Sequence, residues 1–543
     1  MFQANPTLHA VERHAVDYDP TQNGVTFRDF DGDALQYSVT ISDPNNDLRV
    51  AGQRIVGTPM HVDENPIVTI TASDGHGGTI SDSFQIIVAA NAKPWVSRPN
   101  RVLFTHPGEH VDYDLTQAGT TFADANGDAL SYSTVVKGAP PGLSLIGDRV
   151  VGSMSAVGFA AFEITASDGY GGTVVDKFGV AIAAPEPGRP ILPSTIYSYA
   201  DDEQPLPYNF RLSLQAFAPF WDTTTGSFGG PDAPSNAGAT LGRVLFYDKR
   251  LSITNTHSCS SCHQQAHNFA SPERFNTGVL GVPLPRNSMS LANARYNLAG
   301  RYFIDERVQY LEGLVLRPIE EQTELGMPLP MLVDKLAATD FYPPLFALAF
   351  GTPEITPERI RHALVQFVRS LISYRSRYDQ VFNPMDSGHP LDPATVFTPA
   401  EDRGAHLFTS FYTPTEQLQP GACFQCHRTH VQLMDRPSND GLDVQSADPG
   451  NEGKFRTASL RNIAVSGPYM HDGRFATLRE VIEHYDHGIQ DSPQLSPELR
   501  EIPDGLALRL NLSESDKDAL EAFLNTLTDT AFLSDPRFSN PFP

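Results

Sequence analysis

The chain has only four cysteines, and all of them fall in two copies of one pattern: Cys259-Ser-Ser-Cys262-His263 and Cys423-Phe-Gln-Cys426-His427. Cys-x-x-Cys-His is the attachment site of c-type haem: the thiols add to the two vinyl groups, and the adjacent imidazole becomes the proximal iron ligand. A zinc ribbon would set its Cys pairs about 15–20 residues apart, far closer than these. A redox dithiol has no need of His as the next residue. The sequence therefore predicts two covalently bound haems.

Covalent haem of this kind implies maturation outside the cytoplasm, hence a periplasmic or cell-surface location. Met1-Phe2-Gln3-Ala4-Asn5-Pro6 shows no basic stretch followed by an apolar segment, so the numbering is expected to start after a removed signal peptide. The 543 residues carry 39 Lys+Arg against 64 Asp+Glu, a formal net charge of −25, which argues against a nucleic-acid partner. A 40% hydrophobic content with 19% charged residues reads as globular, and no apolar run is long enough for a membrane span.

Two kinds of element must position these sites. The first third is an internal repeat: Val16-Asp17-Tyr18-Asp19 recurs as Val111-Asp112-Tyr113-Asp114, and Ile70-Thr-Ala-Ser-Asp74-Gly recurs as Ile164-Thr-Ala-Ser-Asp168-Gly. The offset, about 94 residues, is the size of one small β-sandwich. Ile67–Thr71 and Ala161–Thr165 read as strands entering the Ser-Asp-Gly turn. Ser83–Val88 and Val174–Val180 read as the closing strands. Both repeats resemble cadherin-like, immunoglobulin-fold modules. In such modules Asp29, Asp31, Asp33, Asp124, Asn126 and Asp128 would be oxygen ligands of a kind suited to Ca²⁺, the alternative being solvated Asp/Gly turns.

Ala184-Pro-Glu-Pro-Gly-Arg-Pro190 is a stiff linker by composition, which predicts that residues 1–185 fold independently. Beyond it the hydrophobic period becomes helical. A helix is predicted from Pro357 through Leu364, Phe367, Leu371 and Tyr374. Capping boxes at Thr398–Glu401 and Thr477–Glu480 open two more, and Ser513–Leu527 forms the last. The predicted fold is multidomain: two N-terminal all-β sandwich modules (1–93 and 94–185), then a mostly α-helical two-lobed di-haem cytochrome c region. A linker and extension occupies 186–237, the peroxidatic lobe 238–385 and the electron-transfer lobe 386–543.

From about residue 238 to 530 the chain resembles the bacterial di-haem cytochrome c peroxidases, and within them the MauG branch. The matching stretches are Leu241-Gly-Arg-Val-Leu-Phe-Tyr-Asp248, Arg286-Asn287-Ser288, Glu324-Leu-Gly326, Leu460-Arg-Asn462 and Gly467-Pro-Tyr-Met-His471-Asp-Gly473. The resemblance implies that the first haem meets hydrogen peroxide while the second stores or relays electrons. Many of these peroxidases carry a distal His in the loop after the first haem site. Here Phe275–Arg286 contains none, and His267 is expected to pack near the propionates or the surface, so the first haem is expected to be five-coordinate. Glu324 matches the family's distal glutamate, which moves a proton between the peroxide oxygens, and Pro318 matches its neighbouring distal proline.

Counting from His471, the family's distal Met of the second haem is replaced by Tyr485, the MauG-like axial ligand; Met470, His484 and His487 are the competitors. The resemblance further implies one Ca²⁺ between the lobes, on the Asn287 side chain and the carbonyls of Ser466 and Pro468. One departure concerns the tryptophan usually found between the haems. The stretch reads Phe303-Ile304-Asp305-Glu306-Arg307, and the two tryptophans, Trp95 and Trp221, lie elsewhere, leaving Tyr302 or Phe303 to carry charge.

The expected activity is peroxide-driven formation of a high-valent di-haem state that oxidises a partner, with MauG-like oxidation of protein aromatic side chains favoured. The alternatives are a peroxide-scavenging cytochrome c peroxidase fed by a small redox protein, and a non-enzymatic haem carrier or sensor.

Overall fold

The computed structural model describes the chain apart from residues 1, 44, 46, 63, 64, 211–220, 223–226, 229–231, 298, 299, 384, 386–390, 410–422, 429–436, 444–452, 502 and 503. The first repeat is a sandwich of seven strands: β1 (Leu8–Val11), β2 (Val16–Tyr18), β3 (Gln36–Ile41), β4 (Leu48–Ala51), β5 (Arg54–Gly57), β6 (Ile67–Ser73) and β7 (Thr79–Ala89). One sheet runs β1-β7-β6-β3 and the other β2-β5-β4. Along β7, Phe84, Ile86 and Val88 point into the core while Gln85 and Ile87 face solvent, the period-two alternation of a half-buried strand.

The second repeat reuses this plan with β8 (Trp95–Val96), β9 (Leu103–Phe104), β10 (His110–Asp114), β11 (Phe122–Ala123), β12 (Ser131–Gly138), β13 (Leu143–Ile146), β14 (Arg149–Ser153), β15 (Gly158–Ser167) and β16 (Thr173–Ile182). Its sheets run β12-β15-β16-β9 and β10-β14-β13, and β9 lies parallel to β16 as β1 lies parallel to β7.

The helical region is built twice on one crossing. α1 (Asn236–Tyr247) packs on α2 (Pro357–Ser370), and α3 (Pro399–Thr409) packs on α5 (Glu514–Asn525), with α4 (Leu478–Glu483) nearby. Both crossings pivot on a glycine. A Cβ on Gly242 would lie 1.9 Å from the Ala363 carbonyl oxygen, and one on Gly404 would lie 2.0 Å from that of Ala519. The two capping boxes form as expected, with Glu401 and Glu480 accepting from the backbone N–H of Thr398 and Thr477.

α2 stops at Ser370 rather than reaching Tyr374. The amides of Ser373, Tyr374 and Arg375 donate instead to the side chains of Asn293 and Asp529, which breaks the helical ladder.

The Pro-rich stretch is not a free tether. Ala184 N donates to the Thr254 carbonyl (2.8 Å) and Asn255 Nδ2 to the Ala184 carbonyl (2.9 Å). Arg250 pairs with Glu186 (2.7 Å), and Ile191 N donates to the Pro541 carbonyl (2.7 Å). Moreover, Phe159, Ala161 and Ala181 of the second module are buried in one hydrophobic cluster with Leu241, Phe246, Val279, Leu280 and Leu325. The second module and the linker are thus packed on the haem lobe: Pro-rich composition stiffens a segment but cannot report that a neighbouring surface binds it.

Candidate functional site: two haem pockets

In the first lobe Ser258 caps the short helical turn Cys259–Cys262 in a capping box with Ser261. His263 follows, and its Nδ1 lies 2.9 Å from the Phe269 carbonyl oxygen, a bond that would fix the ring and leave Nε2 available to a metal. That carbonyl is itself held firmly. Phe269 has φ +56°, costly for a non-glycine residue, and is fully buried against Phe246, Phe367 and Phe532. Burial lowers the His263 pKa, keeping the ring neutral as a ligand must be. His267 faces the other lobe, with Nδ1 3.1 Å from the Val465 carbonyl oxygen.

Glu324 lies close enough to both Cys259 and Cys262 to act on them electrostatically. Desolvation, with Glu321 as a lesser cause, pushes its carboxyl up to about 7. Such a group exchanges protons near neutral pH, as a general acid–base residue requires. The turn Arg317–Glu320 carries Pro318, whose carbonyl accepts from Leu325 N (3.2 Å), so Pro318 and Glu324 belong to one closed loop.

In the second lobe Cys423, Cys426, His427 and Tyr485 line one cavity of about 280 Å³. Tyr485 sits in a π-helical segment, His484–Gly488, that continues α4. Such a bulge re-aims side chains and recurs at functional sites. The two competing histidines are engaged elsewhere. His484 Nε2 lies 2.9 Å from the Asp440 carbonyl oxygen, and His487 is exposed, beside Asp486 (3.3 Å) and Glu483 (3.4 Å). Burial raises the Tyr485 phenol well above its ordinary value, and burial likewise pushes Asp440 in the same cavity up to about 7. Met470, with φ +74°, also lines this cavity.

Asn287, Ser466 and Pro468 all line this cavity; Asn287 N donates to the His471 carbonyl (2.9 Å) and its Nδ2 to the Glu273 carbonyl (3.0 Å). Arg307 stands 3.6 Å over the Phe303 ring, and the buried Tyr302 donates to the Ala294 carbonyl (3.1 Å). Trp95 lies exposed on β8, and the Trp221 side chain is outside the described residues.

In the modules, Asp29 Oδ1 accepts from the amides of Asp31 and Asp33 in an open turn. Asp124 and Asp128 instead gather with Asp168 at the junction between modules, and Asn126 Oδ1 accepts from Ala92 N (2.8 Å). Sequence reasoning missed Phe159 and Leu280 behind the first pocket. The available signal was Gly158–Phe162, an apolar run that breaks the alternation seen in the first repeat.

No disulfide joins any of the four cysteines, and Cys259 and Cys423 are pushed up to about 12 by burial. Among the described residues, neither cluster able to hold a metal ion includes a cysteine. Two thiol pairs, each pair followed by His and one of them lining an apolar cavity, fit covalently attached porphyrins.

The di-haem cytochrome c peroxidase family model matches residues 236–387. The methylamine utilization protein MauG of Methylorubrum extorquens is 31% identical over 300 residues, covering 53% of this chain and 77% of that protein. Cytochrome c551 peroxidase of Nitrosomonas europaea is 28% identical over 265 residues, covering 46% and 73%. A crystal structure of a MauG-like protein associated with microbial copper homeostasis is 32% identical, covering 58% of this chain and 96% of that one, with a TM-score of 0.48. With two Cys-x-x-Cys-His pockets and a glutamate beside the first, this chain belongs to the MauG/di-haem cytochrome c peroxidase family of enzymes, with two haem cofactors.

Proposed function

We propose that the protein uses hydrogen peroxide to oxidise aromatic side chains of a protein partner outside the cytoplasm. The observation that carries this reading is the pair of contrasting pockets: a proton-exchangeable Glu324 at the first haem site and a half-buried Tyr485 lining the second. Cys259, Cys262 and His263 would hold one haem; Cys423, Cys426, His427 and Tyr485 would hold the other. The haems supply the redox chemistry, peroxide reduction at the first and storage of oxidising equivalents across both.

The chain's own task at the first site is to move a proton. Glu324 takes it from the inner peroxide oxygen and returns it to the outer oxygen, which departs as water, while Pro318 closes the loop that carries the carboxyl. At the second site Tyr485, a neutral phenol on its own, would give up its proton to bound iron and supply a hard phenolate donor, which favours oxidised iron where a thioether would favour reduced iron. Tyr302 or Phe303 would pass charge between the pockets. Asn287 with the Ser466 and Pro468 carbonyls would hold one Ca²⁺ between the lobes. A second Ca²⁺ at Asp124, Asp128 and Asp168 is supported by three buried oxygens there without a hydrogen-bond partner, Asn91 Oδ1, Asp124 Oδ2 and Asp128 Oδ2. No helix among the described residues is long and apolar enough to cross a membrane.

The test adds H₂O₂ to the fully oxidised protein. It should react without prior reduction, and Glu324→Gln should slow that reaction by about 10²–10⁴-fold while both haems remain bound. A requirement for half-reduction would put the scavenging peroxidase ahead. Parent-rate reaction of Glu324→Gln would remove Glu324 from the mechanism.

A further inference from the structure

We propose that the second sandwich module forms the rear wall of the peroxide pocket, and that Phe159 is a positioning residue that holds the Glu324 segment in place. This rests on Glu324 being the proton-moving group. Phe159, near the start of β15, is fully buried, yet its ring does not enter its own module's core. Along β15 the inward residues Ala160, Phe162 and Ile164 fill the module, whereas Phe159 and Ala161 face the haem lobe.

The ring meets the backbone two residues after Glu324. A Cβ on Gly326, whose φ is +61°, would lie 3.0 Å from Phe159 Cε1 and 3.2 Å from Val279 Cγ2. On its other side the ring lies across β16 at Gly179, where a Cβ would come within 2.5 Å of Cε2. Gly179 therefore gives the ring its place, and Gly326 lets the distal loop rest on it.

A second strut runs beside the first. Gly138, the last residue of β12, abuts Leu280, whose side chain would be 3.0 Å from a Cβ there. Leu280 belongs to the loop that holds the glutamate backbone: Val279 N donates to the Glu324 carbonyl (2.8 Å), and a Cβ on Gly278 would lie 2.7 Å from Glu324 Cα. On the far side Ile253 N donates to the Leu325 carbonyl (2.9 Å), and the neighbouring Thr254 carbonyl accepts from Ala184 N, just after β16. The residues flanking the glutamate are thus gripped between β12, β15 and the chain leaving β16. A displacement of about 1 Å at a catalytic group can cost on the order of 10²-fold in rate, so this grip bears on turnover.

The experiment uses the full-length, haem-loaded protein carrying Phe159→Ala, Phe159→Leu, or Ile87→Ala, the last on the corresponding face of the first module. Amide hydrogen exchange over residues 317–327 should accelerate in Phe159→Ala, and the peroxide reaction should slow by about 10–100-fold. The rate should rise with pH as Glu324 ionises. Water admitted by the loosened loop should return the carboxyl toward 4.5, moving that inflection to lower pH. Phe159→Leu should show the same changes in smaller degree, and Ile87→Ala none. Parent exchange and parent rate in a loaded Phe159→Ala would overturn the proposal, as would unchanged behaviour of Phe159→Leu should the alanine variant fail to load. Equal slowing by Ile87→Ala would overturn it too, because the effect would then be general instability. Parent-rate Glu324→Gln strikes only the underlying reading, whereas a slow Glu324→Gln beside an unchanged Phe159→Ala strikes only this inference.

Discussion

The two sandwich modules share a strand plan and differ on one face. In the first, Asn65, Ile67, Gln85 and Ile87 occupy the outer side of the β6–β7 pair and are exposed. In the second, the corresponding positions on β15–β16 are Phe159, Ala161, Gly179 and Ala181, all buried against the haem lobe. The inward positions stay apolar and buried: Val68 and Phe84 in one, Phe162 and Phe178 in the other. The fold is kept by one face of a strand, and its use in the assembly is set by the other. Small residues and a single large ring let a sheet meet a loop closely, where exposed Gln and Ile side chains would stand between them.

The largest effect should come from removing a module outright. Deleting residues 1–93 should leave haem content and spectra unchanged, because that module contributes nothing to the cluster around the first pocket. Deleting 94–185 as well should uncover Val279, Leu280, Leu325 and Met327 and give protein lacking the first haem, read by mass and absorption. Normal loading of the shorter chain would show that the shared cluster is dispensable.

A smaller and more local contrast uses the inward faces. Phe162→Ala should cost about 3–5 kcal/mol and lower the unfolding midpoint followed at the haem band, since its module leans on the first lobe. Val68→Ala, at roughly 1.5–3 kcal/mol, should lower a separate transition visible only in the β-sheet signal. A single merged transition in both variants would erase the distinction between the modules.

The smallest expected effect is at the junction. His14 stacks on Tyr170 (3.9 Å), and its Nε2 lies 2.7 Å from Asp128 Oδ1, with Asp124 nearby. Desolvation opposes the charged ring, but Asp128 and the Glu12 carbonyl outweigh it and raise the folded pKa above 6.5. A raised histidine pKa stabilises the folded form fully below the unfolded value and loses that contribution as pH rises through the folded one. In the calcium-free protein, docking of the first module should therefore weaken as pH rises through that folded value, seen as faster amide exchange in β2 relative to His14→Gln, which should lack the dependence.

What the sequence determined by itself is local or strictly repeated. Cys259-x-x-Cys262-His263 and its second copy specify haem attachment because five consecutive residues contain the whole chemistry. The sandwich repeat is legible because strand alternation has period two, and the capping boxes because they span four residues. Tertiary structure decided the rest. Ser370 ends α2 because Asp529 and Asn293, remote in sequence, take the next amides. Counting from His471 reaches Tyr485, but only the fold separates it from its neighbours, because His484 turns to the Asp440 carbonyl and His487 to solvent. The second module became a wall of the first pocket because Phe159 meets Gly326, a contact between residues too far apart in sequence for any periodicity to connect. Side-chain types set what each segment can do, but long-range packing selects which segments meet, and only the folded chain contains that choice.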